Sequence, residues 1–371
     1  MNLTETRLAR LRGRAMPRNH DARTISALAA NPGCARRALM DAAGADKQKL
    51  AAHAGYPAPF GQSQFAIGRG NAFETQVKAN GAAQLLTLLR GHLGLDIAEA
   101  HYTDLGAVGS NESSELRHIR TRQRLTAADG HAGTMFDHPM LRLRVGGRYA
   151  YLEPDLIACK LHGKFYVVEI KSFAVIDGQA DPAKVAAAAI QSAVYVLALR
   201  DLLGDDEKVH HEAILVCPEN FANAPVATGI DVRKQLTVLV RQLSRIARIE
   251  DLLATCPGDL TFDLDPDENQ VPRRPPEELL ASIRKVAANY VPECLNTCEL
   301  CYLCRDESQG TTGALGRQVR EDLGGIEYTA QALALAAGQE PPPDRAEVAA
   351  VLVRAAKLRS ELRPAPRAGL S

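Results

Sequence analysis

Apolar positions along the chain recur with two spacings. A three-to-four-residue spacing runs from Asp21 to Ala45, broken at Asn31-Pro32-Gly33 just before Cys34. It returns from about Ala72 to His92, where Leu85, Leu86, Leu88 and Leu89 form an apolar face. Such spacing predicts amphipathic helices, with a Pro/Gly-containing loop over residues 51–64 between them. Residues 95–155 read instead as strands and loops, and VGGRYAYLEPD places a Gly-Gly turn ahead of alternating aromatics. An Ala-rich segment from Asp181 to Leu203 predicts a long helix, with Asp181 as N-cap and Pro182 in its first turn. EAILVCP reads as a further strand, and the chain beyond residue 310 is helical again, split at QEPPPD. No internal repeat is visible. Mixed strands with flanking helices predict an α/β fold, a mixed sheet covered by helices.

One stretch resists this simple scheme. YLEPDLIACKLHGKFYVVEIKSF, residues 151–173, is mostly β-branched, aromatic or aliphatic, yet it carries Asp155, Glu169 and Lys171. The apolar stretch turns at His162-Gly163, and a hairpin symmetric about His162 sets position 155 opposite position 169. Opposed residues of an antiparallel pair share a face, and so do residues two apart along a strand. Asp155, Glu169 and Lys171 should therefore converge on one patch, while Leu156, Val168 and Ile170 turn to the core. An isolated Glu-x-Lys could simply pair with itself at a sheet edge. Two carboxylates at one spot repel, however, unless a divalent cation lies between them, and an oxygen ligand set suits Mg²⁺ or Mn²⁺. A lysine beside such a site can steady the negative charge that develops when water attacks a phosphodiester.

Composition narrows the partners only slightly. Apolar residues are 46% and charged residues 24% of the 371, and Lys plus Arg equals Asp plus Glu at 44 each, so net charge indicates no polyanion. Local charge differs: Arg7, Arg10, Arg12, Arg14 and Arg18 form one run, and Arg117, Arg120, Arg122 and Arg124 another. Each is either a solvated helix face or a set of phosphate contacts. The longest apolar run, Val185 to Leu199, is interrupted by Gln191, Ser192 and Tyr195, so no membrane span is expected. The first residues lack a signal-peptide core, and a cytoplasmic location is the expectation. Eight cysteines in such a chain point to metal or redox use more than to disulfides.

Pro154-Asp155 followed by Glu169-Ile170-Lys171 resembles the signature of the PD-(D/E)XK nucleases, and most closely the RecB-type exonucleases. The resemblance implies a restriction-endonuclease-like core. It also implies that Asp155 and Glu169 bind the metal with the Ile170 carbonyl, and that Lys171 positions or activates the attacking water. Two further stretches fit. Gln191 and Tyr195 lie four apart in the helix after the Glu-x-Lys strand, where the family carries Gln-x-x-x-Tyr; by themselves they would read as a half-buried Tyr beside an exposed Gln. GRGNAFETQ sets Glu74 at a helix start, close to a capping box with Asn71. It also resembles the family's metal-facing His or Glu, which makes Glu74 a catalytic and metal-binding candidate.

PECLNTCELCYLC places Cys294, Cys298, Cys301 and Cys304 within eleven residues. Thiolates this close need a metal, either zinc or an iron–sulfur cluster, and spacing does not choose between them. A radical-SAM reading of CLNTCELC fails because only a short helical tail follows. TISALAANPGCARRAL around Cys34 resembles the N-terminal segment of cluster-bearing RecB-type nucleases, the AddB nuclease domain and the CRISPR-associated RecB-like exonuclease group. The resemblance implies a 4Fe–4S cluster on Cys34, Cys298, Cys301 and Cys304, with Cys294 as a substitute ligand and Zn²⁺ as the alternative occupant. The Pro precedes Cys34 here, at Pro32, and the four-cysteine run departs from the family's usual spacing. Cys159, Cys217 and Cys256 read as small core residues.

The expected organisation is a basic N-terminal segment 1–20, a nuclease core 21–310 and a helical C-terminal extension 311–371. The expected activity is metal-dependent hydrolysis of DNA, single-stranded or with free ends, in repair or anti-phage defence and with protein partners there. The alternatives are a type II-like endonuclease on the same fold, or a non-catalytic DNA-binding subunit whose cluster is structural.

Overall fold

The computed structural model of the chain describes residues 3–18, 20–58, 64–93, 101–106, 112–127, 134–161, 164–220, 222–269 and 271–362. The expected turn at His162-Gly163 and the Cys159 side chain fall outside what is described. Eight strands are present: β1 His101–Asp104, β2 Thr134–Asp137, β3 Leu141–Val145, β4 Arg148–Leu152, β5 Leu156–Leu161, β6 Lys164–Ile170, β7 Glu212–Pro218 and β8 Pro225–Asp231. Six form one mixed sheet in the order β1-β2-β5-β6-β7-β8, parallel at β1–β2 and β6–β7 and antiparallel elsewhere. The other two make a separate hairpin. Its turn residues Gly146 and Gly147 have φ of 56° and 89°, a left-handed pair that only glycine adopts at little cost. A six-stranded mixed sheet flanked by helices is the expected α/β class, consistent with a restriction-endonuclease-like core.

Fifteen helices occur among the described residues. The first seven are α1 Leu3–Arg12, α2 Ala22–Ala30, α3 Ala35–Ala43, α4 Lys47–His53, α5 Gln64–Leu93, α6 Ser114–Ala127 and α7 Pro182–Leu203. There follow α8 Arg233–Leu243, α9 Ile249–Thr255, α10 Pro276–Arg284, α11 Cys294–Thr297, α12 Cys301–Glu307, α13 Arg317–Asp322, α14 Thr329–Ala336 and α15 Ala346–Leu362.

The two faces of the sheet are read by the strand period. Ile157, Phe165 and Val167 join Ala193, Val194 and Val196 of α7 in the main core. Leu156, Val168, Ile170 and Ile214 turn the other way, onto Phe73, Val77, Leu85 and Leu89 of α5. Helix α7 lies between the sheet and α2 and α8, which is why it is apolar all round. By length and composition alone it could cross a membrane, contrary to the sequence expectation; half of its most apolar window is buried inside the protein. Asp181 caps it through the Ala183 N–H, as the sequence predicted.

Several elements differ from their sequence reading. Helix α4 extends to residue 53, into the expected loop, and α6 stands where strands and loops were expected. The Ser113 side chain accepts from the Leu116 N–H, a cap that announces α6. Helix α5 is broken at residues 79–82, where Asn80, Gly81 and Ala82 all have positive φ. The Asn-Gly pair tolerates that conformation, and the break lets Val77 and Leu85 both reach the sheet. Three of the five arginines in the first run are structural: Arg7 donates to the Leu253 carbonyl, Arg12 to those of Ala15 and Ala43, and Arg18 pairs with Asp46, while Arg10 and Arg14 stay exposed. Helix α1 itself joins the main core through Leu8 and Leu11. Around α14 and α15 a small cluster of Ile326, Ala332, Leu335 and Ala349 is separate from that core. Cys217 is buried, as expected, and Cys256 half-buried.

Candidate active site

The β5–β6 pair has the register the sequence implied. Leu156 stands opposite Val168 and Ile157 opposite Val167, so the same register continued one step sets Asp155 opposite Glu169. It slips by one residue between Ala158 and Leu161, near the turn and away from the charges. Beyond the last paired rung Asp155 closes the corner itself: its Oδ2 accepts from the Ile170 N–H at 2.7 Å. Glu169 is 0% exposed, and Lys171 Nζ lies 2.6 Å from its Oε2. That contact is a close ion pair, and the Glu169 carboxylate has no other hydrogen-bond partner among the described residues.

Electrostatics follow from this burial. Loss of hydration raises the Glu169 carboxyl to about 8, and the neighbouring Asp155 pushes in the same direction. Burial also raises Asp155, against the opposing charge of Lys171. For Lys171 burial acts against the ammonium, but the carboxylates of Glu169 and Asp155 outweigh it and its pKa is raised. A buried carboxylate whose one close partner is a lysine, and which faces a second acid, is short of positive charge. An oxygen-seeking divalent ion fits that donor set.

A second group of charges abuts the first. Lys78 Nζ lies 2.5 Å from both Glu74 Oε1 and Asp137 Oδ1 and donates to the Asp155 carbonyl at 3.1 Å. His138 stands between the same acids, its Nδ1 3.0 Å from Asp137 and its Nε2 3.3 Å from Glu74. Those two hydrogen bonds raise the imidazole to about 10. The bond from His138 is the largest effect on Glu74, which falls to about 2; Asp137 also falls to about 2 because His138, Lys78 and Tyr102 together overcome its burial. The His138 backbone has φ of 46°, an unfavourable conformation for a non-glycine residue, of the kind that collects at functional sites. Ligand atoms of Asp104, Asp137 and His138 lie within 4.8 Å of one another, a grouping that could hold a metal ion. A divalent ion there would have to displace the His138 proton.

The expected Glu74 is thus beside Asp155, linked through Lys78, while Lys78, Asp137, His138 and Tyr102 were not anticipated. The i, i+4 spacing of Glu74 and Lys78 was the one signal available. Gln191 and Tyr195 touch each other under the site, with Gln191 Nε2 donating to the Tyr195 hydroxyl at 3.3 Å. That hydroxyl donates to the Glu153 carbonyl at 3.1 Å and so fastens the segment leading into Asp155. Tyr195 is buried and Gln191 half-buried, each deeper than the plain packing reading of a half-buried Tyr beside an exposed Gln.

Five cysteines converge elsewhere. Cys34 precedes α3, Cys294 opens α11, Cys298 follows it, and Cys301 and Cys304 lie one turn apart on α12; all are buried. Asn31 Nδ2 donates to Cys294 Sγ at 3.5 Å and to the Asn289 carbonyl at 2.6 Å. Arg36, also buried, donates to Cys304 Sγ at 3.3 Å, to the Val286 carbonyl at 3.0 Å and to Glu307 at 2.7 Å. The Cys34 charge is felt by Cys294 and Cys304, and that of Cys294 by Cys298 and Cys301. Burial pushes the Cys298 and Cys304 thiols up to about 12. No three of these sulfurs lie within 4.8 Å of one another, among the described residues.

No family model matches the chain, and no curated protein sequence matches it. Among solved structures it is similar to a Eubacterium rectale protein described as a "putative exonuclease", at 12% identity, a TM-score of 0.31, and coverage of 67% of this chain and 84% of that one. It is also similar to SSO0001, at 16% identity, a TM-score of 0.20, and coverage of 48% and 96%. At these scores neither likeness determines fold or chemistry.

Proposed function

We propose that this chain is a divalent-metal-dependent deoxyribonuclease of the PD-(D/E)XK type, an exonuclease of the RecB kind. The observation that carries the reading is Glu169: fully buried, set by register opposite Asp155, with Lys171 as its one close partner among the described residues. Asp155, Glu169, the Ile170 carbonyl and Glu74 would hold Mg²⁺ or Mn²⁺. Such an ion supplies Lewis-acid stabilisation of a phosphoryl group and lowers the pKa of water. Asp155 is held for this by the Ile170 N–H. Lys171, kept protonated by its two acidic neighbours, donates to the attacking water or to the charge that builds on the phosphate. Lys78 and His138 neutralise Glu74 and Asp137, so that two further carboxylates can stand near a polyanion. Tyr195, through Glu153, positions the Pro154-Asp155 corner, and Gln191 with Tyr195 lines the approach of DNA.

The same reading assigns a 4Fe–4S cluster to Cys34, Cys298, Cys301 and Cys304, with Cys294 as the substitute. Their burial and the Arg36 cation beside Cys304 suit an anionic thiolate-held group, with Zn²⁺ as the alternative occupant. Residues 21–310 would be the nuclease core between the segments 1–20 and 311–371. The setting we favour is the cytoplasm, in repair or defence against foreign DNA with protein partners.

The test is anaerobic purification followed by assay on end-labelled single- and double-stranded DNA, and on closed circles, with Mg²⁺, Mn²⁺ or EDTA. Loss of label from linear ends only, dependent on metal and absent in Lys171→Ala, is the expected result. Cutting of closed circles would replace the exonuclease by an endonuclease. No metal-dependent cleavage of any substrate would remove the catalytic reading.

A further inference from the structure

The second arginine run has a use that the cleavage site does not absorb. Helix α6 and the β3–β4 hairpin are neighbours in space. The His118 Nδ1–H donates to the Met140 carbonyl at 3.1 Å, Thr121 Oγ1 accepts from the Met140 N–H at 2.9 Å, and His118 meets the Tyr151 ring edge-on. Together the two elements carry seven arginines and one acid, Glu115. Arg117, Arg120 and Arg148 are matched by Glu153, Glu112 and Glu5. Arg122, Arg124, Arg142 and Arg144 have no carboxylate partner among the described residues, and Arg122, Arg124 and Arg144 are exposed. In a protein of zero net charge this is a local excess of cations.

The hairpin adds an aromatic surface. Leu141, Leu143, Ala150 and Leu152 turn inward to the core, so Arg142, Arg144, Tyr149 and Tyr151 occupy the opposite face. Arg142 stacks over Tyr149 with its guanidinium carbon 4.2 Å from the ring centre, and Tyr149 as a residue remains 50% exposed. Both ends of this unit are tied to the site: β3 begins just after His138, and β4 runs directly into Glu153-Pro154-Asp155. Arg117 bridges the two ends, donating to the His138 carbonyl and to Glu153.

The geometry points to a binding track for single-stranded DNA on this face, running from Asp155 along the hairpin to Tyr149, with Arg124 and Arg144 on phosphates and Tyr149 stacking a base. It rests on the nuclease reading only for the location of its inner end. Cations that follow a backbone together with an exposed ring are how proteins hold single strands without reading sequence. Duplex would offer Tyr149 no free base face. From Tyr149 to Asp155 is six residues, at most about 20 Å of chain. That equals about six nucleotides at the ~3.4 Å spacing of a stacked strand.

The test is fluorescence anisotropy of the full-length chain with labelled oligo(dT) of about four to sixteen nucleotides in EDTA, across about 50 to 200 mM salt. Arg124→Ala/Arg144→Ala should weaken binding of the long oligonucleotides about tenfold and reduce the salt slope by about 1.4, ~0.7 for each phosphate. Tyr149→Ala should weaken it about tenfold with the slope unchanged. Oligonucleotides of about four nucleotides should not notice either change, and Arg354→Ala/Arg359→Ala on α15 should match wild type. Melting curves equal to wild type confirm that the variants are folded. Unchanged affinity for long oligonucleotides overturns the track. So does an equal loss for duplex and heparin, which would mark a general polyanion patch, or a dependence of anionic-vesicle binding on the same residues. Because EDTA removes cleavage, a track without any metal-dependent cutting would refute the nuclease reading alone, and cutting with normal binding by the variants would refute the track alone.

Discussion

Metal-free protein should lose stability as the pH rises, and Glu169 sets the size of the loss. Its carboxyl goes from an ordinary 4.5 to about 8 on folding, mainly because burial strips it of water. The folded state therefore holds this proton more tightly than the unfolded state does. Below about pH 4.5 both states are protonated and there is no penalty; it grows between 4.5 and about 8 and is complete above that. At ~1.36 kcal/mol per pH unit the full penalty is about 5 kcal/mol. That is a large share of an ordinary domain's stability. A divalent ion that replaces the proton should restore part of it, about 2.7 kcal/mol at a hundredfold excess over Kd, and should bind about tenfold more tightly per pH unit up to about 8. The measurement is urea unfolding in EDTA from about pH 5 to about pH 8.5, with and without Mn²⁺, for wild type and Glu169→Gln. His138 also loses a stabilising proton as the pH climbs from its ordinary 6.5 through about 10, so some decline should persist in the variant. A wild-type stability that is flat or rising over the Glu169 window, or a slope unchanged in Glu169→Gln, would refute the reasoning.

Three other outcomes can be checked directly. Lys171→Ala and Asp155→Ala should each abolish metal-dependent DNA cleavage and leave the circular dichroism unchanged; full cleavage by either would detach the activity from this corner. Tyr195→Phe removes the hydroxyl bonds to Glu153 and Gln191, so it should slow cleavage about tenfold or more while costing only about 1 kcal/mol of stability and a small drop in Tm. A large drop in Tm at normal specific activity would mean the ring serves packing alone. Cys34→Ser purified without oxygen should lose iron and its broad visible absorbance and expose α1–α2 to protease, since a cluster ligand at Cys34 closes a loop of more than two hundred residues. Among the clustered cysteines Cys294→Ser is expected to keep its iron; stoichiometric zinc with no iron in the wild type would replace the cluster.

The sequence by itself determined whatever depends on short-range periodicity. A strand alternates with period two, so a roughly symmetric turn near His162 was enough to put Asp155 and Glu169 on one face and Leu156, Val168 and Ile170 on the other. The one-residue slip near the turn did not disturb this because it lies on the far side of Ala158. The N-cap at Asp181 and the glycine turn at 146–147 were legible for the same local reason. Helix α6 was not, because its apolar positions are few and its buried face carries His118 and Thr121. Only the tertiary structure decided how the charges are balanced. Glu74 and Lys78 come from α5, Tyr102 from β1, and Asp137 and His138 from the end of β2, and nothing in their separate spacings says that one lysine and one histidine serve two acids. Packing α5 on one face of the sheet and α7 on the other brings those ends together. It also removes water from Glu169, and a charge taken out of water is satisfied by whatever partners the fold places beside it, however distant in the chain.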